Sequence, residues 1–248
     1  MAACLILLRH GESSANAACL FTGALDVDLT AEGRAQSLRA GHLLRDRGPA
    51  VDVVLCSPLT RARKTARIVV AVLGSPTELV FDWRLTERSY GALTGRRKAE
   101  VMHEFGTTRF VDWRRSVDHA PPPLNDDRLL SLRSQPALKG FPDEAVAATE
   151  CLRDVIVRLR PLIEVAIIPR LSAGQTVLVV GHGNSLRALV ALLDGLDDEQ
   201  LRGLNIPSGQ PLIYRIRGDG TPVAGSGQYL DPTSARAATF LLEQQGGT

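Results

Sequence analysis

Two histidines stand in matching local sequences. Arg9-His10-Gly11-Glu12-Ser13 follows the apolar run of residues 4–8, and Gly181-His182-Gly183-Asn184-Ser185 follows the run TVLVV at 176–180. In an open α/β sheet, ligands sit beyond the carboxyl ends of the strands, so both rings are placed to face one pocket. Glycine neighbours let the backbone come close to a ligand. Each segment also leads toward a helix start, where free N–H groups attract anions. A neutral imidazole can act as a nucleophile toward phosphorus. Arg9, beside His10, argues for an anionic substrate, because a guanidinium forks phosphate oxygens. A metal site is not the reading, since it wants three or more ligands and the chain has no H-E-x-x-H and no Cys/His cluster. A serine hydrolase is set aside too: the nucleophile elbow needs Gly two residues after its serine, and after Ser185 that position holds Arg187. Neither G-x-G-x-x-G nor the P-loop pattern occurs, so nucleotide binding has no support.

A broken local rule adds a third residue. Arg61 and Lys64 lie near the start of a helix expected to open at Ser57-Pro58, where the helix dipole disfavours cations. Such violations tend to mark functional sites. Arg61, nearest the strand end, is the candidate; Arg63, Lys64 and Arg67 read as a solvated basic face. Glu87, in the stretch Trp83-Arg84-Leu85-Thr86-Glu87-Arg88-Ser89-Tyr90-Gly91, lies just beyond another strand end. A carboxyl hemmed by Trp83 and Tyr90 is expected to have a raised pKa, which suits a proton donor to a leaving oxygen. The alternative for Glu87 is a surface pair with an arginine. Lys98 and Arg114-Arg115 supply further cations, with Pro121-Pro122-Pro123 close behind.

The elements that must position these residues are legible as apolar runs and helical periods. Residues 4–8, 51–55 and 176–180 read as strands buried on both faces of a parallel sheet. Residues 77–81 are a weaker candidate, and 211–216 a fifth. Thr30 is expected to cap a helix running to Leu44 and stopped near Gly48-Pro49. Ser57-Pro58 reads as N-cap and first residue of a helix to about Leu73. A helical pattern runs from Asp143 to Ile168, to be kinked by Pro161 and ended by Pro169. Residues 186–193 form another short helix. Strands alternating with helices predict a three-layer α/β fold, a mostly parallel central sheet with helices on both faces. The expected organisation is a single domain over residues 1–248. It carries an irregular, proline-rich insertion at about 119–142, of the kind that serves as a lid or mobile loop, and a C-terminal tail at about 231–248.

Composition narrows the class. A chain of 248 residues suits one large α/β unit. Hydrophobic residues make up 44% and charged residues 23%, which argues against disorder or a coiled coil. The 29 basic residues, only three of them Lys, against 27 acids give a net charge of +2. That balance offers no electrostatic case for nucleic acid or a membrane surface as partner. Cys4, Cys19, Cys56 and Cys151 include no C-x-x-C and read as buried free thiols of a reducing compartment. The apolar run at 2–8 is too short to span a bilayer and lacks the flanks of a signal peptide, so the expected location is the cytoplasm.

The motifs, taken in order, resemble the 2,3-bisphosphoglycerate-dependent phosphoglycerate mutases of the histidine phosphatase superfamily. The matching pieces are LLRHGES-x-x-N (7–16), FTG (21–23), DVDLTAEG (26–33), SPLTRA (57–62), WRLTERSYGALTG (83–95), WRRS (113–116), PPPL (121–124), GHGNSLRALV (181–190), LNIPSG (204–209) and YLDP (229–232). The RHG and the later His are common to the superfamily, whereas WRRS, PPP, GHGNSLRAL and NIPSG point to the mutase branch. The resemblance implies that His10 becomes a phosphohistidine and that Glu87 is the general acid and base. It implies that His182, Arg9 and Arg61 hold the transferring phosphoryl group, with Asn16, Gly183 and Asn184 completing that pocket. Ser13, Thr22 and Gly23 would line the substrate site, Arg88, Tyr90, Lys98, Arg114 and Arg115 would hold the second phosphate and the carboxylate, and Ser89 would be a further substrate-binding residue. It also implies 2,3-bisphosphoglycerate as priming phosphoryl donor, no metal, a small phosphorylated carboxylic acid as substrate, and a homodimer or homotetramer. The chain departs from the pattern at Ser14-Ala15, Ala24 and Ser89, where the family usually has E-W, W and H. The tail lacks the family's lysines but keeps Gln244-Gln245-Gly246 in place of its N-Q-G. The departures favour the alternative function, a histidine-phosphatase-type phosphomonoesterase with drifted specificity, while Lys98, Arg114-Arg115 and the PPP segment favour the mutase.

Overall fold

The computed structural model describes residues 3–244; Gln245 and Gly246 of the tail motif lie outside them. In chain order the strands are β1 (Cys4–Arg9), β2 (Val53–Cys56), β3 (Glu78–Phe81), β4 (Val177–Gly181), β5 (Leu212–Arg215) and β6 (Gln228–Tyr229). The helices are α1 (Ser14–Ala17), α2 (Ala31–Arg47), α3 (Thr60–Leu73), α4 (Lys98–Arg115), α5 (Asp126–Arg133), α6 (Leu152–Leu162), α7 (Ile168–Ser172), α8 (Gly183–Asp194), α9 (Asp198–Gly203) and α10 (Pro232–Gln244). The sheet order is β3-β2-β4-β1-β5-β6. The first four are mutually parallel, and β5 and β6 add antiparallel strands at one edge.

Alternation along the central strands builds the three layers, because successive side chains leave opposite faces of a strand. Leu5 and Leu7, Val53 and Leu55, and Val177 and Val179 pack with Leu152, Val155 and Leu159 of α6 and Leu186 and Leu189 of α8. Ile6 and Leu8, Val54 and Cys56, and Leu178 and Val180 face the other way, onto Ala40 and Leu44 of α2 and Ala62, Ala66 and Val69 of α3. Both faces are covered, which is why these strands are continuous apolar runs. Each fully buried Leu, Ile or Val contributes about 1.5–3 kcal/mol.

The structure corrects several boundaries. Ser57 does not cap α3, which starts at Thr60 after an uncapping Leu59. The cap comes from across the fold: Asp26 accepts from the Thr60 backbone N–H at 2.6 Å and from its hydroxyl at 2.7 Å. The pattern at 143–168 is not one helix. A single 3-10 turn at 143–145 precedes an irregular stretch, and α6 begins only at Leu152. Pro161 sits within α6, and a π-helical turn at Ile163–Ile167 follows it. Pro169 does not end the helix; it occupies the first turn of α7, where a missing N–H costs nothing. The stretch 119–142 is not irregular throughout, because Asn125 caps α5 and a 3-10 turn follows at 136–138. Leu124, Leu132 and Leu138 from this stretch are buried in an apolar cluster with Ala24 and Leu59. None of the four cysteines is in a disulfide, but only Cys56 and Cys151 are buried; Cys4 is partly covered and Cys19 exposed.

Gly11 serves packing rather than ligand approach. A Cβ there would meet the Gly33 carbonyl oxygen at 2.1 Å, and one on Gly33 would meet the Glu12 carbonyl oxygen at 2.0 Å. The loop after β1 and the first turn of α2 thus touch backbone to backbone. Thr65 of α3 locks the same point, accepting from the Gly11 N–H at 3.1 Å. Gly33→Ala should therefore lower the unfolding free energy by about 2 kcal/mol or more, although alanine is the better helix former by about 1 kcal/mol. Chemical denaturation measures this; an unchanged or raised midpoint would mean that the two segments part without cost.

Candidate active site

The end of β1 delivers Arg9 and His10, and the neighbouring parallel strand β4 delivers His182. The rings of His10 and His182 lie edge to face with centroids 4.9 Å apart. Both are nearly sealed, at 3% and 0% exposure. His10 Nδ1 lies 2.6 Å from the Gly11 carbonyl oxygen. A carbonyl only accepts, so Nδ1 carries the proton and the lone pair is on Nε2. That nitrogen accepts from Arg61 Nε at 3.3 Å. Burial first, then the positive charges of Arg61 and Arg9, hold the His10 pKa well below the usual 6.5. The ring is therefore neutral at physiological pH. His182 is held down in the same way, by burial and then Arg61; its Nε2 shares a 2.8 Å hydrogen bond with Ser57 Oγ. The hydroxyl that sequence reasoning spent on a helix cap instead seats this second histidine.

Arg61 is almost fully buried, and its Nη1 and Nη2 donate to the carbonyls of Leu25 at 2.7 Å and Gly23 at 2.9 Å. Burial pushes it down to about 10, so it stays a cation near neutrality. Arg9 Nη1 donates to the Ile206 carbonyl at 2.8 Å, and the Gly209 N–H donates to the Arg9 carbonyl at 3.0 Å. The NIPSG segment is thereby tied to the end of β1. Glu87 is half-buried and reaches α8: its Oε1 accepts from the Asn184 N–H at 3.2 Å and from the Arg88 N–H at 2.8 Å. A carboxylate at a helix N-terminus is in its favourable electrostatic place.

Beside this buried layer lies a cavity of about 240 Å³. Of the residues predicted from sequence, Arg9, Asn16, Thr22, Glu87, Tyr90, Lys98, Arg114 and Asn184 line it. Burial, followed by the charges of Arg114 and Arg9, lowers the Lys98 ammonium to about 8. Burial also lowers Arg114 to about 10. Several cations crowded into one small space match a small polyanion.

Other predicted residues stand further back. Ser13 caps α1 and bonds Asn16 Oδ1 through its hydroxyl at 2.8 Å. Gly23, at φ +51°, gives its carbonyl to Arg61, and Gly183 is the first residue of α8. Arg88 is fully buried behind the wall, under the Tyr90 ring, and donates to the Trp113 carbonyl at 2.6 Å. Arg115 points to the Asn205 segment, donating to Asn205 Oδ1 at 3.0 Å. Ser89 faces away from the cavity: its hydroxyl donates to the Ala147 carbonyl at 2.7 Å and its N–H to Glu150 Oε2 at 2.8 Å. Its placement as a substrate-binding residue is therefore corrected to a loop-fixing one. Of the other departures from the family pattern, Ala15 and Ala24 are buried and Ser14 is exposed.

Sequence reasoning missed much of the rest of the wall: Glu12, Gln36, Pro207 and Ser208, together with Ala238, Leu241 and Leu242 of α10. The motifs LLRHGES-x-x-N and LNIPSG contain Glu12, Pro207 and Ser208 and were the available signal for them. Sequence reasoning also missed an ion pair buried beneath the loop of Glu87. Arg158 Nε donates to Glu150 Oε1 at 2.7 Å, and both side chains are about one-tenth exposed. Arg158 also donates to the carbonyls of Arg84 and Thr86. With Glu150 holding the Ser89 N–H, the pair grips the chain on both sides of Glu87. Glu150→Ala should cost about 3–5 kcal/mol in urea unfolding, the usual loss when one partner of a buried pair is removed. A loss below about 1 kcal/mol, the level of a surface pair, would contradict this grip.

Known proteins place this arrangement. The model of the histidine phosphatase superfamily (branch 1) matches residues 5–144 and 131–226. The 2,3-bisphosphoglycerate-dependent phosphoglycerate mutase of Thermobifida fusca is 49% identical over 243 residues, 98% of each chain. The protein of the same name from a Nocardioides species is 48% identical over the same shares. Among solved structures, a mycobacterial glucosyl-3-phosphoglycerate phosphatase superposes with a TM-score of 0.65 at 26% identity, covering 86% of this chain and 92% of that one. The chain belongs to the histidine phosphatase superfamily and, within it, to the 2,3-bisphosphoglycerate-dependent phosphoglycerate mutases.

Proposed function

We propose that the protein interconverts 3-phosphoglycerate and 2-phosphoglycerate through a phosphohistidine on His10. The observation that carries this reading is the neutral, lone-pair-bearing His10 Nε2 beside a cation-lined cavity of substrate size. In the forward step Nε2 attacks phosphorus as the bond to the leaving oxygen breaks, and Glu87 gives that oxygen its proton. In return, Glu87 takes the proton of the substrate hydroxyl while that oxygen attacks the phosphoryl group and the P–N bond breaks. Nδ1 keeps its proton throughout, and the Gly11 carbonyl stabilises the charge that the ring acquires. Arg9, Arg61 and His182 surround the transferring oxygens, so most of the rate enhancement is positioning and electrostatic. Asn16 and the α8 N-terminus at Gly183-Asn184 complete this pocket.

Lys98, Arg114, Tyr90 and Thr22 take the distal anionic group, and Arg88 and Arg115 add charge from behind. A bisphosphate fits this donor set, since the cations outnumber the wall's two acids, Glu12 and Glu87. When bound, 2,3-bisphosphoglycerate supplies the phosphoryl group that primes His10. Ala238, Leu241 and Leu242 of α10 line one side of the cavity with apolar surface. The phosphomonoesterase alternative gains nothing from Ser89, which is engaged away from the cavity. A cytoplasmic location and a homodimer or homotetramer belong to the same reading and rest on the family likeness.

Phosphorus NMR of the protein with 3-phosphoglycerate tests the reaction. The expected result is 2-phosphoglycerate, formed faster with catalytic 2,3-bisphosphoglycerate and with little inorganic phosphate. Free phosphate without isomer would replace the mutase by the phosphatase. The pH profile tests the site's charges. kcat/KM should fall above about pH 8 as free-enzyme Lys98 loses its proton, and Lys98→Met should remove that limb while lowering the plateau. A limb that persists unchanged in the variant would assign it elsewhere.

A further inference from the structure

Arg187 is fully buried in α8 and has no carboxylate partner among the described residues. Its Nη1 donates to Asn184 Oδ1 at 2.9 Å and its Nη2 to the Leu201 carbonyl at 2.7 Å. Burial, then Arg115 and Arg88, weigh against its charge, and Tyr90 and Glu87 offset part of that. A buried cation whose hydrogen bonds go to neutral oxygens is costly, and a structural tie between α8 and α9 could be made by a neutral side chain.

The direction of the hydrogen bonds from Arg187 is informative. A guanidinium only donates, so the atom of Asn184 that it meets is the amide oxygen. The amide nitrogen must then face the other way, where Asn184 Nδ2 donates to Tyr90 Oη at 3.0 Å. Tyr90 therefore receives at its oxygen, and its own O–H proton must find another acceptor. Tyr90 lines the cavity, so an anion bound there is that acceptor. Were Asn184 flipped, Tyr90 would donate to the amide oxygen instead, and the cavity would lose a donor.

We propose that Arg187 is a positioning residue: by fixing the flip of Asn184 it aims the Tyr90 hydroxyl proton at the anionic substrate. The inference rests on the mutase reading for the identity of that substrate.

A double-mutant cycle tests it, with KM from turnover and Kd for 3-phosphoglycerate from calorimetry measured on the same proteins. Arg187→Met should raise both about tenfold or more, the loss of one hydrogen bond to a charged group, with a smaller change in kcat. Tyr90→Phe should do the same, and in that background Arg187→Met should add little, because the hydroxyl it aims is gone. Arg187→Lys keeps a donor-only cation and should bring Kd back to within about threefold of the wild type. Arg187→Gln, the less disruptive change, serves if the Met variant is not folded by near-UV circular dichroism; its amide allows either flip of Asn184, and the same loss of effect in the Tyr90→Phe background is expected. Additive effects of the two sites on Kd, or a folded Lys variant that binds no better than Met, would overturn the relay and leave a structural arginine. Wild-type protein that binds 3-phosphoglycerate without isomerising it would instead overturn the mutase reading, and the calorimetric cycle would still decide the relay.

Discussion

The structure turns on keeping one imidazole neutral among cations. His10 has Arg61 on its Nε2, Arg9 next in sequence and His182 edge-on, and it is almost sealed from water. Burial and the two arginines act in the same direction on its pKa. The Gly11 carbonyl then chooses which nitrogen keeps the proton. The charges that attract a phosphate thus also hold the nucleophile in its reactive form. That economy has a structural cost, since several buried cations must be accommodated where few carboxylates are near.

The scaffold accommodates them with carbonyls. Arg61 is held by Leu25 and Gly23, Arg9 by Ile206, Arg88 by Trp113 and Arg187 by Leu201. Each of those oxygens belongs to a loop or helix end, where backbone acceptors are largely left over by regular structure, although the Leu201 carbonyl also accepts from the Leu204 N–H at 3.4 Å. The same contacts tie the loops after β1 and β4, the Glu87 segment and the NIPSG segment into one rigid assembly. The local rule that Arg61 breaks at the start of α3 has its explanation here: its side chain leaves the helix for two carbonyls and a histidine.

Much of this was legible because it is local. The two histidines at strand ends follow from apolar runs that stop at Arg9 and Gly181, and the glycines beside them mark special backbone. The alternation of Leu5, Ile6, Leu7 and Leu8 between two helical layers follows from continuous hydrophobicity. What could not be read depends on partners far apart in sequence. Asp26 capping α3, Ser57 bonding His182, and Glu150 with Arg158 gripping the Glu87 loop leave no periodic trace. The segment before α6 misled for a related reason, since its helical spacing of apolar residues is used to pack a loop around Ala145 and Val146. Gly11 was read as making room for a ligand, and only the backbone of Gly33 shows what fills that room.

The most direct test of the account is the site of phosphoryl attachment. Protein labelled with 15N on histidine, incubated with 2,3-bisphosphoglycerate and kept above neutral pH, would be examined by 15N NMR with coupling to 31P. The account expects one phosphoryl group, on Nε2 of His10, absent from His10→Ala. Attachment at Nδ1 or on His182, or no label in protein that turns over 3-phosphoglycerate, would contradict it.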